Sequence, residues 1–96
     1  MVNQLSLKKW SNISATPATF ALRGGLYALT VMATWNSTGT VTLQRLAPDA
    51  STYVTALTAF SANGYATAQL PSGTYKLTIA TATAIYADLI AIDEPV

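Results

Sequence analysis

Short runs of β-forming residues, separated at nearly even spacing by turn-forming residues, are the feature that most constrains the fold of this chain. Eight such runs can be delimited: residues 5–10, 18–23, 26–35, 40–46, 52–57, 65–70, 74–81 and 84–92. Asn63-Gly64 and Pro71-Ser72-Gly73 lie between runs and favour tight reversals. The pattern predicts an all-β fold: a single antiparallel β-sandwich or jelly-roll-like domain of about eight short strands.

Alternation within several runs predicts which side chains form the core. Val41 and Leu43 alternate with threonine and glutamine in one run, and Tyr75, Leu77 and Ile79 alternate with threonine and lysine in another. Successive side chains of a strand point to opposite faces of a sheet, so we expect both apolar sets to lie inside. All 96 residues belong to one domain in this interpretation, with 93–96 as a short acidic tail.

The polar residues argue against catalysis and metal binding. The sequence contains no histidine and no cysteine, and its only acids are Asp49, Asp88, Asp93 and Glu94. Nucleophilic catalysis, proton transfer near neutral pH and metal coordination depend mostly on histidine, cysteine or clustered acids. We therefore expect that the protein is not an enzyme, and that it has no catalytic residues, cofactor, metal or small-molecule substrate.

Charge is scarce throughout the chain. Charged residues make up 9% of the sequence, the net charge is +1, and Lys8-Lys9 is the only pair of adjacent bases. Binding to phosphates needs a larger basic patch, and the apolar part of the uncharged stretch 24–44 is too short to span a bilayer. We expect no nucleic-acid or membrane partner. Because surfaces of soluble monomers usually carry more charge, we expect other protein to cover this one, in a homo-oligomer.

The last run, residues 84–92, is unusual because both of its faces are apolar. One face consists of Ile85, Ala87, Leu89 and Ala91, and the other includes Tyr86, Asp88, Ile90 and Ile92. A strand covered by a loop or by the N-terminal segment of its own chain would show this pattern, and so would a strand in a subunit interface. We predict an interface that contains the second set. Asp88 would then need a partner, such as Arg23, Arg45 or a residue of another chain.

The N-terminal residues 1–10 form an amphipathic stretch without the pattern of a secretory signal. The residues of interest in it are Leu5, Leu7, Lys8, Lys9 and Trp10. We predict that this stretch is a contact arm that reaches a neighbouring molecule. The alternative is that it forms the first strand of the sandwich.

Seven tryptophan and tyrosine side chains are enough to build a stacking platform for sugars. They are Trp10, Tyr27, Trp35, Tyr53, Tyr65, Tyr75 and Tyr86. Several lie at positions expected to face the core, which is the usual place for aromatic residues. A glycan-binding module is therefore an alternative to a structural protein.

Residues 24–89, about two thirds of the chain, contain a series of motifs in a distinctive order. They are GG-x-Y, TVTLQ-x-L-x-PD, STYV, TAF, LP-x-G-x-Y and ATAIYA. In this order they resemble small virion proteins of tailed bacteriophages that are similar to capsid decoration, or cementing, proteins. The resemblance supplies no catalytic residues.

The resemblance implies a non-enzymatic virion protein, made in the host cytoplasm, that docks on the capsid surface and stabilises the shell. Its partners would be the major capsid protein and further copies of itself. Two alternatives stay open: a glycan- or host-binding module of a head or tail fibre, and a component of the tail or connector.

Overall fold

The computed structural model describes residues 7–92, which form eight β-strands and no helix. The strands are β1 (Leu7–Ile13), β2 (Phe20–Leu22), β3 (Gly25–Thr34), β4 (Thr40–Leu46), β5 (Tyr53–Thr55), β6 (Gly64–Leu70), β7 (Gly73–Ala80) and β8 (Thr83–Ile92). Each strand overlaps one of the eight runs found in the sequence. The predicted all-β fold is confirmed.

The strands form two four-stranded antiparallel sheets. Sheet I has the order β1-β8-β3-β6 and sheet II has the order β2-β7-β4-β5. Every connection between consecutive strands crosses from one sheet to the other, except that between β4 and β5, which are neighbours in sheet II. An eight-stranded double sheet with this strand order is a jelly roll, as the sequence pattern predicted.

The core lies between the two sheets and is built from alternate residues of the central strands. The most deeply buried side chains are Leu29, Val31, Val41, Leu43, Tyr75, Leu77, Ile85 and Leu89. The predicted core positions of Val41, Leu43, Tyr75 and Leu77 are confirmed, and Ile79 packs against them while partly buried. Along one side of the sandwich, the rings of Trp10 and Phe20 join the sheets with centroids 5.5 Å apart.

Two turns close one end of the sandwich. Asn36 and Ser37 adopt positive φ angles after β3, and asparagine tolerates this conformation better than most residues. The Asn36 side-chain amide donates a hydrogen bond to the carbonyl of Thr81, at 2.9 Å, and so ties this turn to the one between β7 and β8. Ala82 packs closely against Gly39. A Cβ atom at position 39 would lie only 2.8 Å from the Cβ atom of Ala82, so a larger residue does not fit there.

Candidate interaction face

The outer face of sheet II is polar, and several of its side chains bond to or contact one another. Thr42 pairs with Thr78 across the strands, and Gln44 pairs with Lys76. The Thr78 hydroxyl donates to Oε1 of Gln44 at 2.5 Å, and the Lys76 ammonium lies 4.2 Å from the centre of the Tyr53 ring. A face of this kind is typical of a solvated surface.

The outer face of sheet I, which we call the sheet I face, has a different character. Strand register arranges its residues in four rows that run across the strands. Each row is named here after its residue on β8. The rows are Ile92–Leu26–Gln69, Ile90–Ala28–Thr67, Lys9–Asp88–Thr30–Tyr65 and Tyr86–Met32. Apolar residues therefore dominate three rows, and the Asp88 row is the polar one.

Exposed apolar side chains are concentrated on this face. Residues 8–92 contain six large apolar side chains that are exposed, and five of them belong to the four rows: Met32, Tyr65, Tyr86, Ile90 and Ile92. The sixth is Val54 on β5 of sheet II. Tyr65 is 71% exposed and Ile90 is 38% exposed. Exposed apolar side chains concentrated on one face of a small domain mark a surface for interaction with another molecule.

A concavity of about 310 Å³ opens on the sheet I face between β1, β8 and β3. Lys9, Thr30, Met32, Tyr86 and Asp88 are among the residues that line it. Oδ1 of Asp88 is shielded from solvent and has no hydrogen-bond partner among the described residues. A shielded carboxylate oxygen without a donor is costly to the fold.

The structure brings together most of the residues predicted for an interface. Tyr86, Asp88, Ile90 and Ile92 lie on the sheet I face, and Lys9 joins them because β1 pairs with β8. The pairing of Asp88 with Arg45 is not formed: the Arg45 guanidinium lies on sheet II, where it donates to the carbonyl of Ser72 at 3.0 Å.

Two of the other predicted interface residues, Trp10 and Lys8, lie elsewhere. Trp10 is only 8% exposed and belongs to the core, and the Lys8 ammonium lies 5.5 Å from the centre of the Phe20 ring of sheet II. Leu7 pairs through its backbone with Ile90. Leu5 lies outside the described residues. Residues 7–10 are the start of β1, which agrees with the alternative that this segment is the first strand. Residues 1–6 lie outside the described residues, and the contact arm predicted for 1–10 stays a prediction.

Sequence reasoning missed the contribution of β3 and β6 to this face. Leu26, Ala28, Thr30, Met32 and Tyr65 lie beside the β8 residues in the four rows. One signal was available in the sequence. The run 26–35 is apolar on both faces of the strand: Leu26, Ala28 and Met32 lie on the face opposite to the buried side chains of this strand.

Asp49, the other acid among residues 7–92, has a structural role in the turn between β4 and β5. Its carboxylate accepts hydrogen bonds from the Thr52 hydroxyl at 2.6 Å and from the backbone N–H groups of Ser51 and Thr52 at 3.0 and 2.9 Å. These bonds, the Thr52 hydroxyl first among them, lower the pKa of Asp49 to about 2.

We expect this turn to lose stability under acidic conditions. The folded-state pKa of Asp49 lies below its ordinary value of 3.8, so the ionised form stabilises the fold above that value, and the contribution disappears as the pH falls towards 2. NMR titration of the Asp49 carboxyl carbon should give a midpoint near 2. Thr52→Val should raise the midpoint, since it removes the strongest hydrogen bond. A midpoint near 3.8 in the parent would contradict the assignment.

No protein family, curated protein or solved structure matches this chain. Within residues 7–92 there is no helix long and apolar enough to cross a membrane. The same part of the chain holds no group of three histidine, cysteine or acidic side chains placed to bind a metal ion.

Proposed function

We propose that this protein is a non-enzymatic structural component of a bacteriophage virion, which self-associates and docks on the outer surface of the capsid shell to stabilise it. The major capsid protein would be its partner there. The observation that carries the proposal is the concentration of exposed apolar side chains on the sheet I face, opposite a polar face on sheet II.

The energetics of a small domain support an assembly role. A chain of this size buries only about 60–65% of its unfolded surface, so its stability margin is thin. Covering the sheet I face would remove apolar surface from water. A partner that binds only the folded protein raises the free energy of unfolding of that protein. Binding to other protein molecules therefore stabilises a domain of this kind relative to the free monomer.

The strand order adds weaker support, by analogy alone. Many viral capsid proteins have a jelly-roll fold, but lectin domains have it as well. A fold by itself does not determine function, so the argument depends on the chemistry of the sheet I face.

A second candidate is a glycan- or host-binding module, and one observation favours it. The rings of Tyr65 and Tyr86 are both exposed on the sheet I face, and the polar side chains of Lys9, Asp88 and Thr30 lie beside them. Sugars bind by stacking on aromatic rings that are flanked by hydrogen-bonding groups.

Electron microscopy of purified phage particles, with gold-labelled antibody against this protein, tests the proposal. We expect label distributed over the capsid surface. Label confined to tail or head fibres would favour the second candidate, and in that case Tyr65→Ala should weaken binding to a glycan array. Absence of the protein from purified particles would contradict both.

A further inference from the structure

We propose that the sheet I face binds a second copy of this chain, packed face to face about a two-fold axis parallel to the strands, between β8 and β3. This inference rests on the proposed function, because it specifies the surface and the geometry of the self-association which that function requires. Most soluble homo-oligomers are closed and symmetric, and a two-fold interface uses the same patch on both copies.

The net charge of the sheet I face is compatible with binding of a second copy. Lys9 and Asp88 are neighbours across β1 and β8, and they are the charged residues of the four rows. The face is therefore neutral overall, so two copies approach each other without net repulsion.

The order of the rows selects the direction of the axis. A two-fold axis parallel to the strands places each row on the same row of the second copy, so that apolar rows meet apolar rows and the Asp88 row meets the Asp88 row. An axis across the strands and through the Asp88 row would place Asp88 on Asp88 and Lys9 on Lys9. Any other axis across the strands would place the Asp88 row on an apolar row. Both results are unfavourable, because like charges repel and charges facing apolar groups lose hydration.

A position between β8 and β3 gives complementary contacts along the whole interface. β8 of one copy then lies over β3 of the other, since these strands are neighbours in the centre of sheet I. Ile92 faces Leu26 of the second copy, Ile90 faces the small Ala28, and Tyr86 faces Met32. Asp88 faces Thr30 of the second copy, whose hydroxyl can donate a hydrogen bond to the carboxylate.

The size of the face also favours this central position. Four strands about 4.8 Å apart, each contributing about eight residues at roughly 3.3 Å per residue, cover about 500 Å². Two such faces bury about 1,000 Å², which is near the lower limit for a specific interface. An axis between β1 and β8 would bury roughly half of this area and would leave β3 and β6 uncovered.

Sedimentation equilibrium is the first experiment. We expect the parent to be a reversible dimer with a dissociation constant in the micromolar range, because the buried area is small. A parent that stays monomeric at about 1 mM would overturn the inference, since dissociation constants above ~1 mM correspond to very weak association.

Spin-label distances then test the direction of the axis. The chain contains no cysteine, so single cysteines at Thr34 and Gln69, near opposite ends of sheet I, can be labelled cleanly. With the proposed axis, the distance between the two identical labels of a dimer is about 20 Å or less at both positions, from strand and sheet spacings. With an axis across the strands, at least one distance is about 28 Å or more. The second result would overturn the proposed geometry. Labelled variants are used only where circular dichroism and the dimer constant match the parent.

The two proposals fail in different ways. A monomer that still decorates particles would overturn this inference and leave the proposed function standing. A dimer with the expected label distances that does not bind capsids would support this inference and contradict capsid docking.

Discussion

Replacing Ile90 with lysine is expected to give a monomer that no longer decorates capsids and still has an intact β-sandwich. Ile90 lies in the middle of the sheet I face and is 38% exposed, so a lysine there does not disturb the core. In the assembled state the new ammonium would lie in an apolar row of the interface and lose its hydration. A cost of at least ~2 kcal/mol, typical of a central interface residue, weakens association about 30-fold or more. Sedimentation and a capsid-binding assay measure the effect, with circular dichroism as the check on the fold.

Thr55→Lys is the matched control for this prediction. Thr55 is also an exposed branched side chain, but it lies on β5 of sheet II and pairs with the uncharged Gln44. It should assemble and bind capsids as well as the parent does. If Ile90→Lys also behaves as the parent does, the sheet I face is not the assembly surface.

Leu77→Ala is expected to lower the free energy of unfolding by about 2–5 kcal/mol, the usual range for a buried leucine. Leu77 is fully buried on β7 and lies directly opposite Leu43 on β4. The loss is large against the roughly 5–15 kcal/mol that holds most small domains together. Urea denaturation followed by tryptophan fluorescence measures it.

Thr74→Ala is the comparison for this core substitution. Thr74 lies on the same strand at the opposite parity and is only partly buried, so a change within about 0.5 kcal/mol is expected, as for most surface substitutions. A change below ~1 kcal/mol for Leu77→Ala would contradict its place in the core.

The positions of the strands were predictable because alternation and turn residues are local signals. The fourth run, 40–46, coincides with β4, whereas the first run, 5–10, is displaced from β1 (Leu7–Ile13). β1 extends further because its length follows from pairing with β8, including an irregularity between Trp10 and Ile13. Pairing with a strand at the other end of the chain leaves no trace in the local pattern.

The candidate face was predictable only in part for the same reason. Alternation showed that Tyr86, Ile90 and Ile92 share one side of β8, and the structure agrees. It did not show that β3 lies beside β8, so Leu26 and Met32 were missed. Trp10 was expected in a contact arm because it lies near the N-terminus, but its ring packs on Phe20 of the other sheet. Alternation assigns the side of a strand, and only the strand order assigns its neighbours.

The position of β8 between β1 and β3 has a consequence for synthesis in the cell. β8 contains the described residues furthest along the chain, and it separates two strands that do not otherwise pair. While β8 is still in the ribosome, β1 has no pairing partner in sheet I and is separate from β3 and β6. The four rows of the sheet I face therefore do not yet exist. A chain that terminates before β8 therefore cannot present the sheet I face, so such a fragment is not competent to join an assembly.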